Sequence, residues 1–164
     1  TYSDWCLDYK NNSYNTGGYL SIAAIKDLIG QENEGSLCSK TGVLNILNNS
    51  VNLSGFSLVD VSPLTDLLAS ASSDVRVDLS DNKITNIYPL INTQTNYLNI
   101  SNNQLCDPIQ SMFYMEVKYT KKSLTSPGAL DFDDFNYSGN PFLNLLKEPS
   151  YTKGDVIEQI ANDR

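Results

Sequence analysis

Carboxylates, cysteines and exposed polar residues are what this chain offers for chemistry. Asp131, Asp133 and Asp134 form its tightest acidic cluster, a grouping able to attract a hard cation such as calcium. The cluster lacks the glycine turn and distal glutamate of a helix–loop–helix calcium loop. Phe132 within it also falls on an apolar position of a longer pattern, so the reading is a solvated acidic turn and no metal site. Histidine is absent from all 164 residues, which removes the commonest general base and metal ligand together. Carboxylates or a cysteine could still act, but nothing in the spacing brings them to one place. The chain is expected to be no enzyme and to hold no cofactor.

Charge narrows the partners. Nineteen acidic against eleven basic residues give a net charge of −8, the wrong sign for a phosphate backbone, and Lys121-Lys122 is the one adjacent basic pair. Nucleic acid is therefore not expected. No apolar run approaches the roughly 18 residues of a membrane helix. At 40% apolar composition the chain can bury one continuous core.

What must position any functional side chain is a repeated pattern. Val51/Leu53/Leu58, Val77/Leu79/Ile84, Leu98/Ile100/Leu105 and Phe135/Tyr137/Phe142 occupy the same places in an apolar-x-apolar-x-x-Asn-x-apolar motif. The Asn is Asn82, Asn103 and Asn140 in the last three copies, and Phe56 stands there in the first. Alternation in each copy predicts a short strand with its apolar side chains turned inward and its neighbours turned to solvent. The Asn would serve main-chain groups left unpaired where the chain turns. A second match supports the first: Leu58-Val59-Asp60-Val61-Ser62-Pro63-Leu64 recurs as Ile84-Thr85-Asn86-Ile87-Tyr88-Pro89-Leu90, 26 residues on. Its proline predicts an extended or turned return and not a long helix. The period is 26, then 21, then 37 residues. The extra length before the fourth copy marks an insertion near 106–130, either a projecting functional loop or a spacer, whose Met115, Val117 and Tyr119 suggest an added strand or hairpin.

The segments outside the pattern differ in kind. Tyr19 to Gly30 has helical apolar spacing and ends at a glycine, and a second helix is predicted over Leu37–Leu47 with Ser36 as its N-cap. Trp5 is expected to pack among them. Cys6 and Cys38 flank the first helix, and a bridge between them would staple this region; three reduced, buried cysteines are the competing reading. Cys106 is left over. Leu143, Leu145 and Leu146 suggest a helical turn on Phe142, and Asp155–Ala161 a short amphipathic tail helix. The chain starts Thr1-Tyr2-Ser3 without a methionine, as a mature or trimmed chain would, so a removed export signal is compatible with it. Asn-x-Ser triplets such as Asn99-Ile100-Ser101 recur, as an Asn-rich repeat produces them without any glycan.

With Val77 to Leu90, Leu58 to Leu64, Trp5-Cys6, the helix ending near Gly30 and Cys38 in view, the chain resembles bacterial leucine-rich repeat proteins of the internalin-like kind. The expected fold is an α/β solenoid: a short right-handed leucine-rich repeat superhelix with parallel strands on its concave face and a helical N-terminal cap. It would be one structural domain, with the cap over 1–49, about four repeats over 50–146 and the tail helix over 147–164. The resemblance implies an extracytoplasmic binding module without chemistry of its own, secreted or held at the cell surface or in the periplasm.

The outward strand positions then become the candidate ligand-binding residues: Arg76, Asp78, Ser80, Tyr97, Asn99, Ser101, Asp134 and Asn136. Arg76 and Tyr97 lead, because both residue types are enriched where binding energy concentrates. The expected activity is recognition of another protein, or of a glycan or other cell-surface component, by a monomer. The alternative is a structural or assembly subunit of a larger surface or secretion complex.

Overall fold

Thr1 starts the first helix. A computed structural model of the chain describes residues 1–11, 17–69, 75–90, 97–107 and 135–145. Helix α1 spans Tyr2–Asn11, with the Thr1 hydroxyl accepting from the Asp4 amide at 3.2 Å and donating to the Asp4 carboxylate at 2.6 Å, a reciprocal cap. This helix was not foreseen in the sequence. Helix α2 spans Gly17–Ile29 and turns Ile22, Ala24, Ile25 and Ile29 inward, as its periodicity predicts; Ser21 is buried with them, and Leu20 and Leu28 are half-buried. A Cβ at Gly18 would lie 2.7 Å from the Trp5 ring, so glycine lets α1 and α2 approach; Trp5 meets Tyr19 edge-on at 5.6 Å.

The second predicted helix is shorter than expected. A 3₁₀ segment occupies Gln31–Ser36, and helix α3 runs only over Lys40–Ile46, with Ser39 rather than Ser36 as its cap, accepting from the Gly42 amide. Leu37 and Cys38 are held elsewhere. The Leu37 carbonyl accepts the buried Tyr2 hydroxyl at 2.7 Å, and Cys38 is bridged to Cys6 with Cα atoms 5.3 Å apart. Burial pushes the Tyr2 phenol well above its ordinary pKa. Asp66 ties the region together, accepting from the Tyr2 amide at 2.8 Å and from Lys40 Nζ at 3.0 Å.

Beyond α3 come strands β1 (Ser50–Asn52), β2 (Arg76–Asp78), β3 (Tyr97–Asn99) and β4 (Phe135–Asn136). They form one parallel sheet in chain order, with Val51 opposite Val77 and Val77 opposite Leu98. Helix α4 (Ser62–Ala69) lies between β1 and β2, and helix α5 (Phe142–Leu145) follows β4. The inward residues Val51, Leu53, Val77, Leu79, Leu98 and Ile100 are buried, and they join Ile22, Ile25, Leu64 and Leu67 of the helices in one core.

The expected leucine-rich repeat superhelix is corrected by this arrangement. The described residues build a helical group beside a short, open parallel sheet, not a right-handed α/β solenoid with a concave face. Three strands are three residues long and the fourth is two. A superhelix needs one small rotation repeated at every unit. These units are unequal: the return after β1 holds the eight-residue α4, and the return after β2 holds a three-residue 3₁₀ turn at Tyr88–Leu90. Pro63 also does not prevent a helix, because it sits in the first turn of α4, where its missing N–H costs no helical bond. The insertion beyond Asp107, the acidic cluster at Asp131–Asp134 and the tail helix lie outside the described residues.

Candidate recognition face

The turns that end the strands decide what the outward side chains can do. Asn82 Oδ1 accepts from the Leu58 amide at 2.9 Å, while Nδ2 donates to the carbonyls of Leu53, Leu79 and Ser80 at 2.9–3.0 Å. Asn103 repeats this with Ile84, Leu79, Ile100 and Ser101, and Asn140 with Leu105, Ile100 and Tyr137. Each of these buried amides therefore caps carbonyls of its own turn and closes the turn of the unit before it. That explains Phe56: no earlier unit exists for an Asn there to serve, and a half-buried aromatic packed on the core takes the position.

One residue before each of these positions the backbone is left-handed, at Gly55 (φ 75°), Asp81 (56°), Asn102 (53°) and Gly139 (70°). Glycine, aspartate and asparagine are the residues that enter this region most readily. The strand ends carry a second device. Asp78 Oδ1 accepts from the Ser80 amide at 2.9 Å and hydroxyl at 2.6 Å, and Asn99 Oδ1 does the same for Ser101 at 3.1 and 2.7 Å. Asn136 does so for Ser138, and Asn52 accepts from the Ser54 amide.

These turns revise the candidate list. Ser80 and Ser101, expected to face solvent, are 6% and 7% exposed and are occupied in closing their turns. Asp78, Asn99 and Asn136 are half-buried and share that work, and Asp78 Oδ2 also accepts from Asn99 Nδ2 at 3.3 Å. Asp134 lies outside the described residues. The signal for this role was present in the sequence, as an Asn/Asp-x-Ser triplet at the same place in all four copies.

Arg76 and Tyr97 remain. They start adjacent strands in register, and the Arg76 guanidinium carbon lies 4.0 Å from the centre of the Tyr97 ring. Arg76 is exposed and Tyr97 half-buried. At the other end of the face, Asn102 Nδ2 donates to Asp81 Oδ1 at 3.0 Å across β3 and β2. The face thus has a cationic–aromatic end and a mildly acidic end, joined by side chains bonded to one another. Among the described residues, no three His, Cys, Asp or Glu side chains are grouped to hold a metal ion.

Compared with protein-family models, with curated proteins and with solved structures, the chain gives no match. Among the described residues, no helix is long and apolar enough to cross a membrane.

Proposed function

We propose that the chain is a non-enzymatic, extracytoplasmic recognition module that engages another protein through the exposed face of its parallel sheet. The observation that carries this reading is the stacked Arg76–Tyr97 pair. Stacking of this kind, worth about 0.5–1 kcal/mol at an exposed site, favours the arrangement before any partner arrives and lowers the rotamer freedom lost on contact. Tyrosine and arginine are also the side chains that most often dominate protein interfaces. The polar groups beyond the pair are already bonded laterally, which gives a partner a firm rim. The Cys6–Cys38 bridge supports the placement, because such bonds persist in oxidising compartments.

The test is a pull-down from the native extract with quantitative mass spectrometry, run with the wild type, Arg76→Ala and Tyr97→Ala. A protein captured by the wild type and depleted at least tenfold by either substitution is the expected result. Capture that survives both substitutions, and fails only when residues 106–130 or 147–164 are removed, would replace this reading with an assembly role.

A further inference from the structure

We propose that the outer edge of β1 is a docking strand, to which an extended segment of a partner protein adds as a fifth strand of the sheet. This surface is separate from the face bearing Arg76 and Tyr97, and the inference stands whether or not that face binds anything.

The argument is one of parity. Toward β2, the Asn49 carbonyl accepts from the Arg76 amide at 2.9 Å and the Leu53 amide donates to the Asp78 carbonyl at 2.8 Å. Main-chain groups alternate in direction along a strand, so residues 49, 51 and 53 face β2, while residues 50 and 52 face away. The Ser50 amide turns back onto the Leu47 carbonyl at 2.9 Å. That leaves three outward groups: the Ser50 carbonyl, the Asn52 amide and the Asn52 carbonyl. None of the three has a hydrogen-bond partner among the described residues, and β1 is the terminal strand of the sheet.

The strand is also open to solvent. Ser50 and Asn52 are exposed, whereas Asp78 and Asn99, which continue the Asn52 row on the inner strands, are half-buried. Proteins usually blunt such an edge with shortness, lysine, proline, a bulge or a covering element, and of these, among the described residues, β1 has only its three-residue length. Ser50-Val51-Asn52 carries no lysine or proline, and its pairing with β2 runs without a bulge. Val51 is buried in the core, while the outward main-chain groups stay unpaired among the described residues. An acceptor, a donor and a second acceptor in a row are complementary to the main chain of an extended peptide, the mode in which a strand is added to a sheet edge. Recognition of this kind reads backbone more than sequence.

The probe is a synthetic peptide copying residues 75–80, whose alternation already suits a neighbour of β1. It is titrated into isotopically labelled protein and followed by NMR and amide exchange. At saturation the Asn52 amide should exchange at least tenfold more slowly. Asn52→Pro removes the outward donor and no bond to β2, while Asn52→Thr removes the same side chain and keeps the donor. The threonine variant should bind the peptide as the wild type does, and the proline variant at least tenfold more weakly. Should the proline variant fail to fold, a peptide N-methylated at alternate amides takes its place and should lose binding to the wild type. No binding of the peptide, an unprotected Asn52 amide at saturation, or equal binding by the proline variant or the N-methylated peptide would each overturn the proposal. Protection of Asn52 that rises with protein concentration alone would also overturn it, by giving the edge to a second copy of the chain.

Discussion

In the helical region the main chain satisfies itself within α1 to α4, and what must be added is attachment between elements. Long-range devices supply it, among them the Cys6–Cys38 bridge, the Tyr2 hydroxyl on the Leu37 carbonyl, the Ser3 hydroxyl on the Cys38 carbonyl, and Asp66 between Tyr2 and Lys40. In the strand region the situation is reversed. Adjacent strands are attached by their own pairing, but three-residue strands leave long turns whose main-chain groups need partners, and Asn82, Asn103 and Asn140 provide them. The helices thus rely on a few individual links, and the strands on one link repeated.

Breaking the repeated link should have the largest effect. Asn82→Leu leaves the Leu58 amide and the Leu53 carbonyl without a partner, while the Leu79 carbonyl keeps Asn103 and the Ser80 carbonyl keeps the Gly55 amide; buried groups left unpaired cost about 1–3 kcal/mol each. A loss of about 4 kcal/mol is expected in urea unfolding. Phe56→Asn is the control: with no preceding turn to close, it should fail to stabilise. A gain in stability there would contradict the account of the first unit.

Removing the bridge with Cys6→Ala and Cys38→Ala should cost about 3–4 kcal/mol in the chain-entropy model for this 32-residue separation. Amide exchange should quicken first in α1 to α3. If the strands lost protection first, the division between the regions would be wrong. A smaller effect separates two glycines with similar backbone angles. Gly55→Ala meets no neighbouring atom and should cost about 1–2 kcal/mol for the left-handed backbone alone. Gly139→Ala adds a clash with the Asn102 side chain, and its melting midpoint should fall further.

The smallest effect is set by pH. The Tyr2 amide, and then Lys40, hold the Asp66 carboxyl below its ordinary pKa. A lowered folded-state value means the contribution is present above about pH 4, the unfolded value, and is lost as pH falls through the folded one. Asp66→Asn should therefore flatten the fall in melting temperature below pH 4 while leaving a constant deficit above it. An unchanged acid profile would remove Asp66 from the list of helical attachments.

The strand positions and the Asn partners were legible because a period ties distant residues to one role, and Val51, Val77 and Leu98 fall in register accordingly. Helix α1 was missed although Tyr2, Trp5, Cys6 and Tyr9 fall at helical spacing, because Trp5 and Cys6 were read one by one, as a packing residue and half of a bridge, and not as one face. Ser80 and Ser101 were misread for a related reason. The same small polar side chains suit a wet surface and a turn that consumes them, and the Asn/Asp two residues earlier, whose contacts fix the second role, was read as one more outward residue. The superhelix was misread because similarity of motif was taken for equality of unit, while the returns through α4 and through Tyr88–Leu90 differ in length and kind.

The direction of the Asn bonds has a consequence for how the chain matures. Since Asn82 completes the turn at Leu58, and Asn103 the turn at Ile84, each segment is finished by the one synthesised after it. A nascent chain paused after Leu58 would hold an unsealed loop, and only further elongation would seal it. The ribosome thus delivers every clasp late, so a truncation weakens the surviving piece nearest the cut.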